Sequence, residues 1–282
     1  MIKRKALYMI AALLGSLVVA TLSSAAPQVI PVRELKAEPK LDGLVSDWEG
    51  VKEHTISVAG ALPTKVVYLK MGTYKSDVFL LVRWADTTED LIHRPYVWDE
   101  KRGKYEQGDA KEDRLAIEFA ISGDYTTQWD SGKEFKSDMW YWKSSRSNPL
   151  GFVHDKLNIL SKESSKQAYR IKAKDGSLIY LSQPTDSGSK LYHEVSRPEK
   201  KEQAVMPKYV LDENPTGSIA DIKAKGVWRG NQWVVEMRRK LNTGNNDDVA
   251  FKKGAKVKGG VAIFDHSENE VHNISDTLIF QF

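Results

Sequence analysis

The sequence predicts an all-β protein, an antiparallel β-sandwich with long loop insertions. Three observations predict it. Residues alternate between two faces with period two in several separate segments, the mark of half-buried strands. Short glycine-bearing connections join some of these segments into hairpins. Beyond the first 26 residues, no long stretch shows the 3.6-residue periodicity of a helix.

The chain begins with a different pattern. Lys3, Arg4 and Lys5 precede an apolar run over residues 6–21, and Ser23-Ser24-Ala25-Ala26 supplies small residues for cleavage. Residues 1–26 are therefore expected to be a secretory signal peptide. The run is shorter than the roughly 20 residues a spanning helix needs. No later run is longer, so no membrane span is expected after cleavage.

The strands follow in order. Residues 66–71 form a β-branched and aromatic run. In 77–86, Leu80, Val82 and Trp84 alternate with Phe79, Leu81 and Arg83. Leu115, Ile117, Phe119 and Ile121 alternate with Ala116, Glu118 and Ala120. Trp233, Val235 and Met237 do the same, as do Leu278, Phe280 and Phe282. Residues 72–76 and 229–232 are expected as hairpin connections. Two stretches, 87–111 and 161–217, are polar and irregular, the second carrying Pro184, Pro198, Pro207 and Pro215. The second is expected to be an insertion, because the later strands supply the missing half of one sandwich. Residues 27–282 are thus expected to form a single domain.

Composition narrows the function. The 282 residues include no cysteine, which excludes disulfide scaffolds, thiol nucleophiles, iron–sulfur clusters and covalent C-x-x-C-H haem attachment. The formal net charge of +4 falls to +1 once the three basic leader residues are removed, which gives no basic face for nucleic acid. An exported, cysteine-free chain fits a bacterial periplasm. No Gly-x-Ser-x-Gly, P-loop, dinucleotide fingerprint or His-Glu-x-x-His occurs. Residues 265–270 form an acidic stretch without the glycine of an EF-hand loop, and read as a polar turn.

The densest chemical cluster is Asp138-Met139-Trp140-Tyr141-Trp142-Lys143. Trp140 and Trp142 share one strand face. Such a pair either lines a ligand pocket or fills a sandwich core, and the core is the commoner use. Among six histidines, His93 sits in the first long loop and His272 follows the acidic turn near the last strand.

Several segments, in order, resemble one family. They are Leu41-Asp42-Gly43-Leu44-Val45-Ser46-Asp47-Trp48, Arg83-Trp84-Ala85-Asp86-Thr87-Thr88, residues 112–119, residues 138–146 with the W-x-W-K signature, residues 230–241, and residues 261–282. The resemblance is to the haem-binding domain of ethylbenzene dehydrogenase γ subunits and related cytochrome c-552-like and dimethyl-sulfide-dehydrogenase-like proteins. It implies a sandwich similar to family 9 carbohydrate-binding modules, a non-covalent b-type haem, and periplasmic electron transfer. By this resemblance the protein is no catalyst. A partner, such as periplasmic oxidoreductase subunits or cytochromes, does the chemistry.

Family members hold the iron with Met and Lys, the Lys coming from the turn before the final strand. The matching turn here carries His272, and imidazole is a good iron ligand. The loop that supplies the Met in relatives has no Met, Cys or His here, leaving His93 or Met139 opposite. Trp140 and Trp142 are expected to shield the macrocycle, and Arg146 or Lys143 to pair with a propionate. A haem-free, carbohydrate-binding-module-like role on the same sandwich is the competing expectation.

Overall fold

The computed structural model describes residues 26–266 and 271–282. The expected signal peptide lies outside the described residues apart from Ala26, and so does most of the acidic turn 265–270.

Period-two patterning gives the long strands of the sandwich. In chain order they are β1 (Val29–Pro31), β2 (Arg33–Glu34), β3 (His54–Gly60), β4 (Val66–Tyr74), β5 (Asp77–Ala85), β6 (Tyr96–Asp99) and β7 (Lys104–Gln107). Then come β8 (Arg114–Gly123), β9 (Phe135–Lys143), β10 (His154–Ser161), β11 (Tyr169–Lys172), β12 (Leu178–Ser182), β13 (Tyr192–Glu194), β14 (Val205–Met206) and β15 (Tyr209–Leu211). The last are β16 (Lys223–Trp228), β17 (Gln232–Lys240), β18 (Lys256–Phe264), β19 (Asn273–Ser275) and β20 (Leu278–Gln281). Four short 3₁₀ turns accompany them, and no α-helix occurs among the described residues.

One hydrogen-bonded ladder runs β11-β12-β10-β9-β8-β18-β19-β3-β4-β5-β17-β16, and folds over at the β19–β3 pairing. Its two halves face each other as a sandwich. Pairings along this ladder are antiparallel; β1–β20 and β2–β4 are parallel. Between the halves lie Trp140 and Trp142 of β9, Trp84 of β5 and Trp233 of β17, with Phe119, Phe251 and Phe280. Trp142 meets Trp233 edge-on at 4.9 Å and Trp84 at 6.1 Å. Edge-to-face packing of this kind fills a core densely while keeping each ring's favoured quadrupole geometry.

The turns refine the expectation. Gly230 and Asn231 both have positive φ (59° and 58°), the signature of a two-residue I′ turn joining β16 to β17. The first hairpin turns later than residues 72–76 suggest. Gly72 lies inside β4, and Lys75-Ser76 makes the turn. A Cβ on Gly72 would come within 2.3 Å of Leu35, so this glycine serves close chain approach.

The segment 161–217 is not wholly irregular, contrary to expectation. Its β11 and β12 widen the first half of the sandwich beyond β10. Its β13 and β15 pair with each other, and β14 pairs with β6 of the first long loop. These strands are short and sit at edges, so their half-exposed residues show no clean alternation. Among the described residues, no helix is long and apolar enough to cross a membrane.

Candidate cofactor site

Strands β8, β9 and β18 send alternate side chains to opposite faces. Trp140, Trp142, Ile117 and Val261 enter the core, whereas Ala116, Met139, Tyr141, Lys143 and Ala262 point outward. On that outer face lies a cavity of about 590 Å³. This size is within the roughly 300–1,000 Å³ of ordinary cofactor and ligand sites. Ala116, Ala262, Gly260 and Met139 form a low apolar floor. Tyr192 and Tyr209, from β13 and β15, form the roof, packed edge-on at 5.6 Å. The insertion is therefore the lid of the site.

Two distant histidines reach the same cavity. His93 comes from the first long loop and lies 5.7 Å from the Tyr209 ring. His272 immediately precedes β19, not the final strand β20, and rests 5.0 Å from Phe264. Burial first, and then Arg146, Arg114, Arg94 and Lys143, push His93 down to about 2. It is a neutral imidazole at physiological pH, as a metal ligand must be. Its Nδ1 is buried with no hydrogen-bond partner, and Glu112 Oε1, at 3.6 Å, is too far to supply one.

The walls are cationic. Arg114 donates to the Tyr141 hydroxyl at 2.7 Å and lies 4.4 Å over Phe264. Arg146 is held by the buried carboxylate of Glu112, which also accepts from the Ser145 and Arg146 amides at 2.9 and 3.1 Å. The guanidinium sits 5.0 Å from the Tyr192 ring and 4.8 Å from the Tyr209 ring, so it also seats the roof. Lys143 Nζ is 2.7 Å from both His154 Nδ1 and the Tyr192 hydroxyl. Burial, aided by Arg146, holds Lys143 well below the usual lysine range. Burial and Lys143 do the same to His154. On the floor, burial raises Glu118 to about 7, although Tyr125, Asn158 and Ser137 all donate to it.

Of the residues singled out from sequence, His93, His272, Met139 and Arg146 line this one cavity. Trp140 and Trp142 do not. Both are fully buried on the opposite face of β9, so the pair fills the core instead of shielding a ligand. Met139 is part of the floor, and its sulfur is 3.5 Å from the Asn158 amide nitrogen. Sequence reasoning missed Arg114, His154, Tyr192 and Tyr209. Parity with Ala116 and Glu118 on β8 could have placed Arg114 on the outward face. Nothing local marks the two tyrosines.

The fold and the site together define a β-sandwich protein with a pocket on the outer face of one sheet. Its pocket is cationic, roofed by aromatic rings and supplied with imidazoles. The ethylbenzene dehydrogenase family matches residues 52–274, and the chain belongs to this family of oxidoreductase-associated subunits. No curated protein sequence matches it. Among solved structures, it is similar to a family 9 carbohydrate-binding module from Caldicellulosiruptor kristjanssonii in complex with glucose, at 9% identity and a TM-score of 0.39. That match covers 89% of this chain and 85% of the other. A proposed carbohydrate-binding protein from Bacteroides uniformis gives 10% identity and a TM-score of 0.44, covering 90% and 91%. Chains this dissimilar inform neither ligand nor partner.

Proposed function

We propose that the protein binds a b-type haem in this cavity and relays electrons in the periplasm for a partner oxidoreductase, without catalysis of its own. The observation that carries this is the convergence of His93 and His272, from distant segments, on one cavity with cationic walls. The residues present fit the group. His93 is neutral and buried, and it lines the cavity. His272 supplies a second imidazole, and Met139 is the alternative second ligand. Arg114, Arg146 and Lys156 supply positive charge for the two carboxylates of such a cofactor. The low floor and the tyrosine roof would pack against an apolar ring system. Bound haem would supply one-electron transfer at a potential set by its axial ligands and their surroundings.

The test is an absorption spectrum of the protein exported into a haem-replete periplasm, before and after dithionite. A Soret band with sharp α and β bands on reduction is the expected result. His272→Ala and His93→Ala should each abolish or shift these bands. Unchanged spectra in both would reject the ligand assignment. A colourless protein that takes up no added hemin would reject the cofactor. Saccharide-dependent fluorescence quenching would then favour the haem-free binding role.

A further inference from the structure

On the core side of β9 and β10, beneath the cavity floor, six aspartates converge. Asp138 and Asp155 come from the two strands. Asp186 follows β12 at the root of the roofing segment. Asp221 precedes β16, and Asp247 and Asp248 lie between β17 and β18. Carboxylate oxygens of Asp138, Asp155 and Asp248 all lie within 4.8 Å of one another, and so do those of Asp186, Asp247 and Asp248. That is about the span across a calcium ion bound at 2.3–2.6 Å.

A second observation points to a ligand. Asp138 Oδ1, Asp155 Oδ2, both carboxylate oxygens of Asp186 and Asp248 Oδ1 are buried and accept no hydrogen bond from any nitrogen or hydroxyl. Their residues are 0%, 0%, 6% and 6% exposed. Buried carboxylates are normally satisfied, by hydrogen bonds, by opposite charge or by a metal. Arg239 answers part of the charge. It binds Asp138, lies 3.5 Å from Asp248 Oδ1, and packs over Trp140 at 4.9 Å. A single guanidinium does not neutralise six carboxylates.

We propose that this cluster is a divalent-cation site, suited to calcium, that locks the root of the roofing segment to the sandwich. All the donors are carboxylate oxygens, which hard cations prefer. Asp186, Asp247 and Asp248 are the expected ligands, with Asp155 beside Asp186; Asp248 is shared between the two groups and also faces Arg239. An ion there would join β10, the β17–β18 loop and the chain six residues before Tyr192. The site is separate from the cavity and does not depend on the haem reading.

The test is calcium titration of the EDTA-stripped full-length mature protein, by calorimetry and by thermal melting at several calcium concentrations. Saturable binding with a Kd of about 10⁻⁴ M or tighter is expected, in the range of extracellular calcium modules. The Tm should rise with the logarithm of free calcium. Terbium should bind in competition and be sensitised through Trp140. Asp186→Asn combined with Asp247→Asn should weaken calcium binding at least tenfold, while His272→Ala leaves it unchanged. No heat and no Tm response up to about 10 mM calcium, well above the range of such modules, would overturn the proposal. A proton shared between Asp155 and Asp186 would then be what satisfies the cluster. Binding that survives the double substitution would overturn the ligand assignment.

Discussion

Glu118 shows how one side chain on the cavity floor ties stability to pH. Its carboxyl is buried and accepts from Tyr125 at 3.0 Å, but burial still raises it to about 7. In the unfolded chain it titrates near the ordinary value of 4.5. Between these two values the folded state holds the proton and the unfolded state has lost it. The contribution of Glu118 to stability is therefore present at low pH and is lost as pH rises through about 7. Glu118→Gln removes the titration. Relative to the parent, the variant should gain stability progressively from pH 4.5 to pH 7 and then level off, by up to about 3 kcal/mol. Urea melts across that pH range measure this directly. A difference independent of pH would mean that the carboxyl is ionised in the native state.

At the scale of elements, β16 shows how closely the two halves of the sandwich approach. A Cβ on Gly226 would lie 2.3 Å from Cζ2 of Trp142 in the facing sheet. Asn148 bridges the same spot, accepting from the Trp142 indole at 3.1 Å and from the Gly226 amide at 2.7 Å, and donating to the Gly226 carbonyl at 3.0 Å. Gly226→Ala must displace an indole that is locked by Trp84 and Trp233. The expected cost is about 1–3 kcal/mol, the usual range for overpacking a dense core, and chemical denaturation reads it. Wild-type stability in this variant would show that the Trp142 ring has room to shift.

For the whole molecule, the question is whether the roof is separable from the sandwich. The segment leaves and returns at one place. Ser189 donates to the Thr216 carbonyl at 2.9 Å, and Ile219 donates to the Ser187 carbonyl at 3.1 Å. Excursions whose ends meet in this way can be shortened without stretching the framework. Replacing residues 190–215 with a short glycine linker should keep a cooperative thermal transition and a β-type circular dichroism spectrum. It should also abolish hemin uptake, because Tyr192 and Tyr209 are gone. Calcium binding should persist, because Asp186, Asp247 and Asp248 remain. A truncated protein that does not fold would show that the roof is part of the folding unit.

Sequence alone marked β4, β5, β8, β17 and β20 as strands, but not β3, β10, β16 or β18. It also set the facing of the W-x-W-K strand, because period two is a local property of the chain. Met139, Tyr141 and Lys143 on one face and Trp140 and Trp142 on the other follow from parity. What each face meets does not. Only the tertiary structure decided that the tryptophans look into the core and Met139 into a cavity, since that depends on which sheet packs on which side. The meeting of His93 with His272 was equally out of reach, because it depends on pairings between distant strands. The roof's sequence looks irregular, because short edge strands bury too little to impose alternation. The aspartate cluster was not legible at all. Its members come from separate elements, and each one alone reads as an ordinary polar residue.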